Sequence, residues 1–335
     1  MVADFNISHI KGQSLKERSL NMDKTLKKRH SSVSKDHWGY IFVIPFIVVF
    51  LFFALYPIAN TFFLSLTDAD MLRGMQGDFI GFRNFENLLN DDMFFRAMGN
   101  TWLLWLGNFI PQMILALVLA AMFTSTTFKL KGAGLFKAAY YLPNLLMPVT
   151  IAALFSSYLS LHGPLNQFLV GSTGILSEPR NFLQLATDTR VVVMFLQTWM
   201  WFGQTAIVLV AGMTSISPTY YESAMVDGAS QVKMFFKITL PLLKPILLFV
   251  LVTSLVGGMQ MFDIPMLLAG PLGPPDQSVL TMNMFMNARR AHPANAIGSA
   301  ASISVMLFFM SSFIALILFR LFQDNDKPKK KRGQS

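Results

Sequence analysis

Residues 217–241 read SPTYYESAMVDGASQVKMFFKITLP and lie between two long apolar segments of the chain. Ser217 followed by Pro218 predicts a helix start, because serine can cap free N–H groups and proline suits the first helical position. Gly228 permits the turn that ends this helix, and Ser230 can cap a second helix. The stretch therefore predicts a compact loop of two short helices.

The first of these helices carries an apolar stripe of Tyr221, Ala224 and Met225, while Glu222 has no basic partner within helical reach. The second helix is expected to present Phe235 before the prolines at 241 and 245 break it. A helix lying on lipid normally has a strongly basic polar face, and the first helix contains no lysine or arginine. The pattern therefore favours docking of the loop into a groove of another protein.

Composition places the rest of the chain in a bilayer, since 53% of its residues are hydrophobic and only 13% are charged. Six stretches reach the length of about 20 apolar residues that a membrane span needs. They lie near 40–66, 99–123, 136–160, 191–213, 246–265 and 296–322. The chain has no cysteine, and its five histidines show no helical pairing, so no metal site is expected.

Positive charge sorts these spans into two compartments. Six spans place both termini on one side, and that side receives every lysine, including those of the loop. The opposite side holds arginines alone: Arg73, Arg83, Arg96, Arg180, Arg190, Arg289 and Arg290. By the positive-inside rule, both termini and the loop are expected in the cytoplasm.

Three regions follow from this topology. Residues 1–37 and 323–335 are expected to be basic cytoplasmic tails, and 38–322 a transmembrane domain with its cytoplasmic loop at 217–245. Beside membrane spans, the basic tails are better explained as topology signals and lipid head-group partners than as nucleic-acid contacts.

The segment Glu222-Ser-Ala-Met-Val-Asp227-Gly228-Ala229, followed by Phe235, resembles the EAA signature of binding-protein-dependent ABC importer permeases, with serine at 223 in place of an alanine. The resemblance implies that the loop is a coupling helix that contacts a cytoplasmic ATPase, with Glu222 pairing with a basic ATPase residue. The implied coupling residues are Tyr221, Glu222, Ala224, Met225, Asp227, Gly228, Ala229 and Phe235.

The resemblance extends over nearly all of residues 38–322 and is closest to the carbohydrate-type branch, in particular its MalF-like or UgpA-like first permease. Further matching segments are Ile44-Pro45, Tyr56-Pro57, Phe79 to Phe85, Gly134 to Lys137, Tyr141 to Pro143, Gly163 to Asn166, Phe262-Asp263 and Leu268 to Pro271.

This resemblance implies an all-α polytopic protein of six transmembrane helices with the type I ABC importer permease fold, in a bacterial or archaeal inner membrane. The implied partners are a second permease subunit in a heterodimer, two ATP-binding subunits, an extracytoplasmic solute-binding protein and a carbohydrate-like substrate.

Polar side chains at membrane depth usually face a cavity or another helix, and spans four and five carry several. In the resembling family the sugar is gripped by these two helices, which maps onto Trp201, Gln204, Ser254, Gly258 and Met261. Gln260 and Asp263 are added as polar groups on span five, with Asp263 near its outer end. For the small residues, helix packing is an equally good explanation.

No Gly-rich Walker loop occurs in the sequence, so ATP and magnesium are expected on a partner ATPase, with no cofactor or metal in this chain. No protease-type constellation occurs either, which predicts a transport subunit and not an enzyme. The alternative is an ion-coupled secondary transporter, which commonly shows repeated halves and charged or broken helices near the midplane. The sequence shows no such repeat, and this alternative leaves the loop unexplained.

Overall fold

The computed structural model describes residues 38–73, 76–125, 132–270, 278–291 and 296–323. The basic tails expected at 1–37 and 323–335 lie outside the described residues, apart from Gln323. The chain divides into two compact units between Asn60 and Thr61.

The first unit contains a membrane-type helix. Helix α1 (Trp38–Phe50) continues through a π-helical turn (Leu51–Leu55) into α2 (Tyr56–Leu64), whose last residues belong to the second unit. The stretch is hydrophobic on every side, as expected of a helix surrounded by lipid. Within it, the rings of Phe46 and Phe50 stack with their centroids 6.2 Å apart.

The second unit holds the remaining helices. They are α3 (Arg83–Leu89), α4 (Asp92–Thr124), α5 (Ala133–Leu145), α6 (Pro148–Tyr158), α7 (Pro164–Asn166) with a π-helical extension (Gln167–Ser172), α8 (Ala186–Thr214), α9 (Pro218–Val226), α10 (Gln231–Met234) with a π-helical extension (Phe235–Thr239), α11 (Leu240–Leu242), α12 (Lys244–Met259), α13 (Asp263–Ala269), α14 (Met282–Arg290) and α15 (Ala296–Gln323).

Across the described ranges the chain is helical, and an isolated antiparallel bridge between Thr67 and Phe79 is its one β contact. Five stretches are long and apolar enough to cross a membrane: Phe42–Leu64, Asp92–Thr124, Ala186–Thr214, Lys244–Ala269 and Ile297–Phe322. They correspond to predicted spans one, two, four, five and six. The all-α, polytopic prediction is therefore confirmed.

The third predicted span, near 136–160, is a pair of helices and not one continuous helix. Helices α5 and α6 occupy it, and they are bent by 89° at the break between them. Leu146 and Met147 are both extended, with ψ of 141° and 135°. Because the ring of Pro148 disfavours the helical conformation of the residue before it, the chain turns here and then starts a new helix. Counted as one broken span, the pair gives the sixth crossing.

Helices α4 and α8 form the central pair of the second unit and run parallel. Near their first turns, Arg190 Nη2 donates to Asn100 Oδ1 at 3.1 Å. Near their last turns, Thr124 Oγ1 donates to Met213 Sδ at 3.4 Å. Parallel packing is what the second and fourth spans of an alternating topology require, so the geometry agrees with the order of spans.

Small residues let the other helices approach this pair. Gly203 of α8 lies so close to α5 that a Cβ built there would be 2.1 Å from the carbonyl oxygen of Tyr140. At the loop end, Ala116 and Ala120 of α4 are fully buried against α8. In lipid, such close van der Waals contact replaces the hydrophobic effect as the force that joins helices.

Gly203→Ala tests the α5–α8 contact. The added methyl group meets a backbone carbonyl that cannot rotate away, so the variant is expected to lose about 1–3 kcal/mol of stability. Gly99→Ala on α4 is the matched control, because a Cβ there has no neighbour within 4 Å and alanine favours helix. Thermal unfolding of the purified protein in detergent measures both. Equal melting temperatures for the two variants would contradict the contact.

Candidate functional site

The loop between α8 and α12 contains two short helices, as the sequence predicts. Helix α9 ends at Val226, and Gly228, two residues further on, has a φ of +71°. The N–H of Gly228 donates to the carbonyl of Met225 at 3.1 Å, and that of Ala229 donates to Ala224 at 2.9 Å. This pair of bonds is the Schellman arrangement, which needs a left-handed residue where Gly228 stands. Glycine therefore sets the sharp turn between the two helices.

Two details of the predicted loop are wrong. The Ser217 side chain does not cap α9, since its hydroxyl donates to Thr219 Oγ1 at 3.3 Å instead; Ser230 does cap α10, accepting from the N–H of Lys233 at 3.3 Å. The prolines at 241 and 245 do not break the second helix sharply. Each lies in the first turn of a helical segment, where its missing N–H costs no hydrogen bond.

The loop is anchored to the helices on one side only. Tyr221 Oη and Thr239 Oγ1 share a hydrogen bond of 3.0 Å, which joins α9 to the segment after α10. The Phe235 ring packs against the buried cluster at the end of α4 and α8. Glu222 and Met225 are exposed, and within the described ranges Glu222 has no ion-pair partner. The outer face of α9 is thus an unpartnered surface that carries one free carboxylate.

A cavity of about 370 Å³ lies between α4, α6, α8, α12 and α13. Its volume falls in the range of about 300–1,000 Å³ that is usual for small-molecule sites. The structure brings together in its wall all seven residues that the sequence assigns to the substrate pathway: Trp201, Gln204, Ser254, Gly258, Gln260, Met261 and Asp263.

The break between α12 and α13 shapes one end of this cavity. Gln260 and Phe262 leave the helical conformation, which frees backbone carbonyls at membrane depth. Side chains at the start of α14 satisfy them: Thr281 Oγ1 donates to Met261 O at 2.7 Å, and Asn283 Nδ2 donates to Gln260 O at 2.8 Å. Irregular backbone inside a membrane is tolerated only where protein or a cavity covers it, and both conditions hold here.

Two of the seven residues have structural contacts that explain their small size. Ser254 Oγ accepts a hydrogen bond from Trp105 Nε1 at 3.2 Å, and a Cβ on Gly258 would be 2.0 Å from the Trp105 ring. Both residues therefore contact the Trp105 side chain and hold it in place. The Trp105 ring also stacks on the ring of Phe109, with centroids 5.4 Å apart. Packing of α4 against α12 is their observed role.

The amide side chains differ in how they are bonded. Gln204 and Gln260 are exposed in the described chain, and neither side chain has a hydrogen-bond partner there. Trp201, 44% exposed, donates its indole N–H to Gln197 Oε1 at 3.1 Å. An aromatic face beside two available amides can bind a polar, uncharged solute, since amides both donate and accept.

Helix α4 contributes wall residues that the sequence analysis did not assign to the substrate pathway. Trp105, Asn108 and Gln112 line the cavity, and Gln112 Nε2 also donates to Thr205 Oγ1 at 2.7 Å. A signal for them exists in the sequence. Positions 105, 108 and 112 share one helical face of an otherwise apolar span, which is where polar groups that face a cavity are expected.

Residues 102–325 match the family described as binding-protein-dependent transport system inner membrane component. The chain belongs to this family. The permease is therefore a transport subunit and not a catalytic enzyme, and its EAA-type segment is typical of such permeases. The prediction of an ABC importer permease is confirmed, and nothing supports the alternative of an ion-coupled transporter.

Similar proteins agree with this assignment. The permease is 33% identical to the lactose transport system permease protein LacF of Rhizobium radiobacter over 84% of this chain and 92% of LacF. It is 28% identical to the arabinooligosaccharides transport system permease protein AraP of Bacillus subtilis over 86% and 89% of the two chains. It is 26% identical to the trehalose/maltose transport system permease protein MalF of Thermococcus litoralis over 89% of this chain and 96% of that MalF.

Solved structures show the same fold. A chain of a bacterial ABC transporter involved in the import of the acidic polysaccharide alginate aligns with a TM-score of 0.69 and 24% identity, over 90% of the permease and 100% of that chain. A second structure shows the bacterial alginate transporter in complex with an alginate pentasaccharide-bound periplasmic protein. A chain of it aligns with a TM-score of 0.68 and 23% identity, over 88% of the permease and 97% of that chain. The permease is accordingly a multi-pass inner-membrane protein.

A double-mutant cycle on Trp105→Phe and Ser254→Ala tests whether the hydrogen bond from the indole N–H of Trp105 to Ser254 stabilises the fold. Ser254→Ala alone leaves a buried N–H without its acceptor and is expected to cost about 1 kcal/mol of unfolding free energy. With phenylalanine at 105 the N–H is gone, so the same serine change is expected to cost about 0.5 kcal/mol less. Denaturant unfolding in detergent measures all four proteins, and strict additivity would contradict the assigned contact.

Proposed function

We propose that this chain is one of two permease subunits of a carbohydrate importer driven by ATP, and that the 370 Å³ cavity is its solute site. The observation that carries the proposal is the meeting of Trp201, Gln204 and Gln260 in one cavity wall, with their polar groups accessible. Sugars present hydroxyl edges and weakly polar ring faces, which amides and an indole ring complement. The named substrates of LacF, AraP and MalF, and of the alginate importer, support the carbohydrate class.

The energy for transport enters, in this proposal, through α9. A cytoplasmic ATPase binds α9 at Tyr221, Glu222, Ala224 and Met225, of which Glu222 and Met225 are exposed and the other two half-buried. The turn at Gly228 passes the movement of the ATPase to α12. Support comes from the unpaired carboxylate and from the one-sided anchoring of the loop at Thr239 and Phe235. ATP and magnesium are held by that partner chain.

The other partners follow from the same assembly. A second permease subunit completes the pathway, and an extracytoplasmic solute-binding protein delivers the solute, as the periplasmic protein in the complex of the similar alginate transporter suggests. Both termini and the loop lie in the cytoplasm, because that side carries all the lysines.

Changes in the loop test the coupling role. Glu222→Lys reverses the free charge, and Gly228→Pro cannot adopt a φ of +71°. Each variant is expected to insert normally and to lose at least nine-tenths of solute uptake, with ATP hydrolysis no longer linked to transport. Ser223→Ala is the control and is expected to transport normally, since it restores the usual residue of the motif. Normal uptake by both loop variants, with the ATPase still bound, would refute the coupling role.

Truncation in the cavity tests the solute role. Trp201→Ala with Gln204→Ala removes the aromatic face and one amide, so uptake is expected to fall at least tenfold while assembly with the partner chains persists. Ile207→Ala lies on the same helix outside the cavity and serves as the control. Radiolabelled sugar uptake and co-purification of the ATPase are measured together. Loss of co-purification in the double variant alone would make these positions packing residues.

A further inference from the structure

The charge of the cavity wall separates classes of carbohydrate. Within the described part of the chain, its lining contains amides, hydroxyls, aromatic rings and aliphatic groups, and no lysine, arginine or histidine. Its one ionisable lining residue is Asp263, which is exposed and stands at the start of α13. The fixed charge of the wall is therefore negative.

The basic residues of the five helices around the cavity all lie outside its lining. Helix α4 has Arg96, α8 has Arg190 and α12 has Lys244, each near the start of its helix. Arg190 is already engaged: its Nε donates to Ser278 O at 2.9 Å and its Nη2 to Asn100 Oδ1 at 3.1 Å. Helices α6 and α13 contain no basic residue.

An anion at membrane depth is costly unless a cation or several donors compensate it. The hydrogen-bond donors that face this cavity are neutral. Some of them already bond to other wall residues: the indole N–H of Trp201 donates to Gln197, and that of Trp105 donates to Ser254. A carboxylate on Asp263 adds repulsion for a second carboxylate on the solute. A neutral sugar meets neither cost.

We propose that the cavity binds uncharged carbohydrate and rejects anionic sugars, with the carboxylate of Asp263 as the residue that sets this preference. The proposal rests on the proposed function, since it assigns a substrate class to the same site. It predicts that a sugar acid or sugar phosphate is a poor ligand for this importer even when its ring is the right size.

Matched glycosides test the proposal on the assembled importer, purified in detergent without its solute-binding protein so that the membrane site alone is probed. Methyl β-glucoside and methyl β-glucuronide share one ring and differ by a carboxylate. Tryptophan fluorescence reports binding, because Trp105 and Trp201 line the cavity. At constant ionic strength, the glucoside is expected to quench saturably and the glucuronide to bind at least tenfold more weakly.

Asp263→Asn is expected to lower the ratio of the glucuronide dissociation constant to the glucoside dissociation constant severalfold, because the amide has the same shape as the carboxylate and no charge. Asp92→Asn, an exposed acid at the start of α4 outside the cavity, is the control and is expected to leave the ratio unchanged. Equal or tighter glucuronide binding by the unaltered importer overturns the proposed preference and leaves the carbohydrate site standing. A ratio that Asp263→Asn does not move overturns the role of Asp263. If neither glycoside quenches, the cavity is not a sugar site and both proposals fail.

Discussion

The close packing of α4 against α8 is the contact on which the rest of the second unit depends. The two helices run parallel, held by Arg190 and Asn100 at one end and by buried alanines at the other. Other helices join this pair at points of close contact: α5 meets it at Gly203, and α12 meets it where Trp105 lies over Gly258. Since apolar surface gains nothing by leaving lipid, these contacts must be tight enough to hold the helices by packing alone.

The cavity is a consequence of where that packing is interrupted. Helix α6 turns away from α5 by 89°, and α12 stops at Met259 before α13 begins. The second break frees the backbone carbonyls of Gln260 and Met261, and the side chains of Asn283 and Thr281 at the start of α14 donate hydrogen bonds to them. A polar site thus forms in an apolar protein without isolated charge at its centre. This arrangement suits a solute that is polar and neutral.

Loop and cavity are connected through a short path. The turn at Gly228 leads through the segment of Phe235 and Thr239 directly into α12, which carries Ser254 and Gly258 into the cavity wall. Phe235 also touches the end of the α4–α8 pair. A continuous run of helical segments therefore joins the loop to the α12 wall of the cavity, and α4 and α8 form other parts of the wall.

The sequence by itself determined the membrane class, five spans, the loop with its turn at Gly228, and the grouping of polar residues on spans four and five. Apolar length, glycine and proline placement and a family-type motif are local properties, so they can be identified without coordinates. Only the tertiary structure decided the sharp turn before Pro148, the role of Ser254 as a partner of Trp105, and the inclusion of α4 in the cavity wall. These depend on which helices approach one another, and the approach is fixed by packing between residues that are far apart in the chain.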